Sequence, residues 1–415
     1  MKVIVQKFGG TCVDSEESQA LTAERVMEAK DQGLHPVAVI SAMGREEQPY
    51  STVELVHLVA RVDERIDART LDLVMSCGEI ISTAAMAHLL RSKGYETIAL
   101  TGGQVGLITD SYHGHAQIIR IEPGQLLASL QGGQIVFVAG FQGVTEDHAL
   151  TTLGEGGSDY TAVALAMIIG RTQELPFGEE LELAGLHIFK EVDGVLTANP
   201  KSLPPEAGVR PRPIPSLTYE EGAAMARLGA EVLQYRAAAM AGKYQVPIII
   251  RNFRNSDLEG TRIPCLEKRS VAGKATAVAD QADLLVFTAH SDSPRLGGQL
   301  AERMDRDRLR HFQLTDDPGR TRFAVKQEKY RNVPRLLEQM FFERSLKAEI
   351  SRSAWALVSI VGEGLRGEME TADRLARKAL GAEVAGTLSS EISLSYLVPE
   401  EQRKPAVLDL HQRFV

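Results

Sequence analysis

The stretch Thr151-Thr152-Leu153-Gly154-Glu155-Gly156-Gly157-Ser158-Asp159 holds the densest set of residues suited to chemistry. It lies between a strand-like run, Ile135–Gly140, and a helix-like run, Thr161–Ile169. Glycines let backbone N–H groups approach an anion, and the start of the following helix adds a favourable dipole. Asp159 at that mouth suits a metal ion or the orientation of a phosphoryl group. Glu155 is the misfit, because a carboxylate repels the anion such a cradle attracts. A second string, Lys7-Phe8-Gly9-Gly10-Thr11, follows the first strand and offers a point charge with two glycines. That combination suits phosphate binding.

These loops need elements to hold them. Val3–Gln6 reads as a strand, and Asp14 with Glu17 reads as a capping box for a helix to about Gln32. The alternation continues with strand Pro36–Ile40, helix Leu71–Lys93, strand Glu96–Leu100, helix Glu122–Leu130 and strand Ile135–Ala139. Helix Tyr160–Ile169, strand Leu186–Phe189, a helical pair in Tyr219–Gly242 and strand Val246–Asn252 complete the first part. Strands apolar on both faces point to a mostly parallel sheet covered by helices. Ser41–Gly44 and Gly140–Gly143 end strands, Ser76–Glu79 reads as a helix start, and such loops gather outside the carboxyl ends of a sheet. Beyond about residue 274 the character changes. Thr276–Val325 and Trp355–Val398 each read strand–loop–helix–strand, a rough duplication suited to binding or regulation.

Composition excludes several classes. The 415 residues are too many for one ordinary core. A net charge of −9 argues against a general nucleic-acid binder. Cys12, Cys77 and Cys265 are far apart, which argues for a reduced protein without a structural zinc site. Met1–Val5 reads as a strand rather than a leader, and no apolar run is long enough to span a membrane, so a cytoplasmic protein is expected. His113 and His115 have metal-like spacing without an evident carboxylate partner, so they read as a surface loop and no protein metal site is expected.

In order along the chain, Lys7–Val13, Ser41–Gly44, Ser76–Ser82, Leu100–Asp110, Ala139–Gly143, Thr151–Ala164 and Glu191–Pro200 resemble the motifs of the aspartokinases, in the amino-acid kinase superfamily. The resemblance implies an α/β three-layer sandwich with a mostly parallel sheet over 1–255, a linker over 256–274, and two small α+β ACT-like modules over 275–345 and 346–415. It implies transfer of the γ-phosphoryl of ATP, with Mg2+, to the β-carboxylate of aspartate, in the diaminopimelate route to lysine, threonine and methionine. Lys7 and Asp159 would be catalytic: Lys7 neutralises the phosphoryl group, and Asp159 organises the lysine and the metal ion. Ser41, Thr52, Glu79, Ser158 and the Glu155 position would face the amino-acid substrate, with Glu79 accepting from its ammonium group. Gly9, Gly10, Lys190, Glu191, Leu196, Lys201 and the Glu231 position would face the nucleotide. The family also implies an amino-acid effector at the ACT-like region and a homodimer or larger oligomer, with no nucleic-acid or membrane partner.

The departures from the pattern lie in the same site. The family's loop arginine is Glu155, its lysine near the phosphates is Glu231, and its His-Pro is Gln234-Tyr235. At about 4 Å and an effective dielectric near 20, each reversed charge swings the interaction by several kcal/mol. Three readings follow: an active aspartokinase, a non-catalytic regulatory paralogue, or a kinase whose acceptor carries a cation that Glu155 can pair.

Overall fold

The computed structural model describes the chain except for residues 45–47, 176–177, 204–207, 231–232, 265–270, 291–292, 294, 318–319, 329–331, 344–345, 352 and 382–383. Glu231 and Cys265 therefore lie outside the described residues. Two compact units are present. The first comprises Met1–Val195, Pro213–Ala223 and Glu231–Leu266; the second comprises Leu196–Arg212, Ala224–Ala230 and Glu267–Val415.

The first unit runs β1 (Lys2–Phe8), α1 (Glu16–Asp31), β2 (His35–Ile40), α2 (Thr52–Ala60), α3 (Ala68–Ser92) and β3 (Thr97–Leu100). It continues with β4 (Leu107–Thr109), β5 (Ile118–Ile121), α4 (Gly124–Gln131), β6 (Ile135–Ala139), β7 (Gln142–Val144), β8 (Leu150–Thr152), α5 (Gly157–Arg171) and β9 (Glu182–Lys190). After α6 (Tyr219–Arg227), which ends in the second unit, come α7 (Tyr235–Tyr244), β10 (Ile248–Asn252) and β11 (Thr261–Ile263). The main sheet has the order β11-β10-β9-β1-β2-β6-β3, parallel except for β11. Its central strands are buried on both faces, as their unbroken apolar runs require.

The side-chain period of two decides what faces what. Phe8, Ala38, Ile40, Phe137 and Phe189 point into a core shared with α1 and α3. Lys7, next to Phe8, and Lys190, next to Phe189, are thereby turned to the opposite face, which α5 covers. Phe8 and Phe189 stack with centroids 4.8 Å apart, fixing β1 beside β9 directly behind the two lysines.

Several sequence expectations are corrected. The cap of α1 is Ser15, which accepts from the Ser18 amide, rather than Asp14. Ser76–Glu79 is the interior of α3, not a helix start. Gly78 is there for packing: a Cβ on it would come within 2.9 Å of the Ala42 Cβ. An apolar run long enough to cross a membrane does exist, since α3 qualifies by length and composition. In the fold, however, α3 carries Asp72 and Glu79 inward and places Met86 and Leu90 in the core. The expected linker contributes β11, paired antiparallel to β10. A small four-stranded sheet, β5-β4-β7-β8, and the helix α2 were not anticipated.

The second unit runs β12 (Ala277–His290), α8 (Leu296–Arg306), β13 (His311–Asp317), β14 (Arg320–Lys326), α9 (Val333–Glu343) and β15 (Lys347–Ile350). It ends with β16 (Trp355–Val361), α10 (Met369–Leu380), β17 (Gly386–Ser389), β18 (Ser393–Pro399) and α11 (Arg403–Phe414). The two α+β modules share one antiparallel sheet, with β12 as the seam. Ala277–Gln281 pairs with β16, whereas Leu284–His290 pairs with β14 and β15. β15 thus pairs with the second half of β12, and β16 pairs with its first half. Two separate cores follow the same division. Phe287, Leu300 and Leu337 lie in one, and Val278, Tyr396 and Val407 lie in the other.

Candidate active site

Parallel strands end together, so the carboxyl ends of β9, β1, β2 and β6 deliver Lys190, Lys7, Ser41 and Gly140 to one rim of the sheet. The first turn of α5 arrives over the same rim. Lys7 Nζ lies 2.7 Å from Asp159 Oδ1, and Lys190 Nζ lies 3.6 Å from Asp159 Oδ2. Lys7 and Asp159 are nearly inaccessible, with side-chain exposures of 6 % and 4 %. Two cations thus grip opposite oxygens of one carboxylate, leaving a net positive charge in a poorly solvated site.

The electrostatics follow from that packing. Burial alone raises the Asp159 carboxyl, but the ammonium groups of Lys190 and Lys7 outweigh it and hold the group below the usual carboxylate range. Burial lowers the Lys190 ammonium, with Asp159 opposing and Lys7 adding to the shift. Cys12, under the lysines, is pushed up to about 11 by burial, so it remains a thiol rather than a nucleophile.

Glycines let the rim close. A Cβ on Gly10 would lie 2.9 Å from the Ala42 carbonyl oxygen, and one on Gly140 would lie 2.8 Å from the Ser158 Cβ and Oγ. Ser158 is buried in the space Gly140 leaves. Gly9 is roomier, its nearest neighbour for a Cβ being the Lys7 Nζ at 3.7 Å. Gly154 and Gly156 have φ of +78° and +70°, the left-handed region that favours glycine. Gly156 caps α5 without a side-chain bond.

Glu79 lies 4 % exposed in α3. Its Oε1 accepts from the Ala42 amide at 3.1 Å, and its Oε2 has no hydrogen-bond partner among the described residues. Burial pushes the carboxyl up to about 8. Ser82 Oγ donates to the Ser41 carbonyl at 2.8 Å, docking α3 onto the end of β2 and bringing Ser41 and Glu79 together. A buried carboxylate with an open oxygen beside a strand end suits a cationic group of a small ligand.

Other positions fall differently. Thr52 opens α2 behind its Ser51 cap, at a helix start rather than at the strand ends that carry Lys7, Ser41 and Lys190. Glu155 is exposed at the loop, and Glu191 is exposed just beyond β9. Leu196 and Lys201 belong to the second unit. Among the described residues no three His, Cys, Asp or Glu side chains converge as a metal cage.

Asp72 was not singled out by sequence, and His113 was read as a surface residue without a carboxylate partner. The two lie together: His113 Nδ1 is 2.7 Å from Asp72 Oδ2, and Asp72 is fully buried. Asp72 also accepts from the Gly114 amide and the Thr152 hydroxyl, tying α3 to the segment that leads into the glycine loop. A carboxylate set among Leu71, Leu73 and Val74 near the start of the helix was the available signal.

The Amino acid kinase family model matches residues 2–252. The whole chain is 33 % identical to an aspartate kinase of Pseudomonas putida, covering 98 % of it, and 31 % identical to aspartokinase 1 of Bacillus subtilis, covering 99 %. Its fold is similar to that of E. coli aspartokinase III in complex with aspartate and ADP, at a TM-score of 0.78 and 21 % identity over 99 % of both chains. With the family model matched over most of the first unit and relatives aligned from end to end, the chain belongs to the aspartokinases of the amino-acid kinase superfamily.

Proposed function

We propose that this chain phosphorylates the side-chain carboxylate of aspartate with ATP and Mg2+. The observation that carries the reading is the pair of lysines gripping Asp159 at the rim, together with the unpaired oxygen of Glu79 at the end of β2. In the reaction a carboxylate oxygen attacks the γ-phosphorus as the bond to the β,γ-bridging oxygen breaks, giving an acyl phosphate and ADP. The attacking carboxylate is already ionised at neutral pH, so no general base is needed. That fits a site whose one central carboxylate is locked between cations. Lys7 and Lys190 supply preorganised positive charge where the transferring group gathers negative charge, and their burial strengthens the effect. Magnesium, carried with the nucleotide, supplies further charge neutralisation. Glu79 takes the substrate ammonium, and Ser41 and Ser158 line the same rim. Membership of the family also supports an amino-acid effector at the second unit and a homodimer.

Glu155 favours a second reading. It holds the place of the family's arginine, so the amino acid's α-carboxylate lacks that cation, and an acceptor with a neutral or cationic group there would suit the loop better. Because Glu155 is exposed, its repulsion is screened and does not abolish binding.

The test is hydroxamate formation from MgATP, hydroxylamine and either aspartate or its α-amide. Under the first reading aspartate is the better acceptor, and Lys7→Met lowers kcat by about 10²–10³, the cost of losing one transition-state donor. Preference for the amide would select the second reading, and ATP binding without either product would sink both.

A further inference from the structure

The glycine loop that sets Asp159 is soft by composition. Gly154 and Gly156 sit at positive φ, and α5 has no side-chain cap at its start. Part of its position must come from outside the loop, and α7 supplies one such hold. The Arg236 guanidinium donates from one nitrogen to the Leu153 carbonyl at 2.7 Å and from the other to the Ala116 carbonyl at 2.8 Å. Its Cζ lies over the Tyr160 ring, 4.5 Å from the centroid. One side chain thus ties together the end of the small sheet, the His113–Ala116 turn and the first turn of α5. The same helix start holds the loop a second time, since a Cβ on Gly156 would fall 2.2 Å from the Gln234 Cγ. Gln234 in turn fixes Arg236, its Oε1 accepting from the Arg236 amide at 2.7 Å.

We propose that Arg236 is a positioning residue for phosphoryl transfer, holding the loop backbone so that Asp159 stays between Lys7 and Lys190. Its two short bonds go to the Leu153 and Ala116 carbonyls, so it acts on the loop through those peptide units. The two short bonds to different segments need a planar fork. A lysine offers a point charge and cannot serve both carbonyls while stacking on Tyr160. Displacement of reacting groups by about 1 Å costs on the order of a hundredfold in rate.

The inference rests on the kinase reading above, so the experiment has one arm that needs turnover and one that does not. For Arg236→Ala, kcat should fall about tenfold to a hundredfold, with KM for ATP and for the amino acid changed less than about threefold. Guanidinium ion at tens of millimolar should recover at least threefold in that variant and nothing in the wild type, whereas Arg236→Lys should stay within threefold of Arg236→Ala. Arg171→Ala, at the far end of α5, serves as the control and should retain its rate. In the second arm, hydrogen exchange should quicken at least tenfold across 153–160 in Arg236→Ala and stay unchanged across 185–190. A wild-type rate in Arg236→Lys, or exchange that rises everywhere or nowhere, would overturn the proposal. If the wild type forms no product, the kinase reading fails, and the exchange arm still decides what Arg236 does to the loop.

Discussion

Glu79 shows how burial changes what one carboxylate can do. Its folded-state value of about 8 lies above the roughly 4.3 of an exposed glutamate. Between those values the folded chain holds a proton that the unfolded chain has lost. This group's contribution to stability is therefore full below about pH 4.3 and is lost as pH rises through 8. Binding an ammonium group demands the ionised form, so binding near pH 7 should release a proton. Calorimetry in two buffers of different ionisation enthalpy should register nearly one proton released per aspartate, with affinity rising to about pH 8. In Glu79→Gln the release should vanish, and its persistence would place the ammonium elsewhere. Glu155 is the opposite case, since exposure leaves its charge screened. Restoring a fork with Glu155→Arg should lower KM for aspartate about tenfold, a charge-assisted pair's worth, with kcat nearly unchanged. Steady-state kinetics check this directly.

At the scale of elements, the site depends on how α5 begins. Gly156 has both a left-handed backbone and a neighbour, Gln234, that leaves no room for a Cβ. Gly156→Ala should destabilise the first unit by about 1–3 kcal/mol, combining the cost of αL with overpacking. Denaturant titration measures that cost, and a loss under about 0.5 kcal/mol would mean that the loop can rotate away. Where the resemblance implies His-Pro this chain has Gln234-Tyr235, and the helix is capped because the Gln234 Oε1 accepts from the Arg236 and Ala237 amides. The change of sequence thus preserves the element that carries Arg236.

At the scale of the molecule, the second unit takes in a segment from the middle of the chain. Leu196–Arg212 is bound there by the Thr197 hydroxyl, 2.9 Å from His411 Nε2, and by the Thr197 carbonyl, which accepts from the Val278 amide. Ser202 donates to Asp280, and Asp280 is paired with Arg403. Ala198 and Leu203 enter the core beside Val278 and Tyr396. Asp280 is almost wholly buried, so Arg403→Ala would strand its charge. The expected loss is about 3–5 kcal/mol, seen as a lower midpoint for the second unit's unfolding. Arg403→Ala together with Asp280→Asn should recover much of it, because no unpaired charge remains.

Much of the first unit is legible from local pattern. Unbroken apolar runs marked the parallel strands, and the period of two turned Lys7 and Lys190 away from Phe8 and Phe189 toward α5. What escaped was set by distant partners. Ser76–Glu79 reads as a helix start, and the close approach of Ala42 and Tyr50 explains Gly78 inside α3. Asp72 and His113 are 41 residues apart, so no window along the chain connects them. Strands of three residues, such as β4, β7 and β8, carry too little periodicity to be read. By itself the sequence named the candidates for the site: two lysines, an aspartate, a glutamate and the glycines around them. Tertiary structure alone decided which carboxylates matter, burying Glu79 with one oxygen unpaired and leaving Glu155 in solvent. The reason is physical. A charge acts through the dielectric around it, and that dielectric is set by packing between residues far apart in the chain.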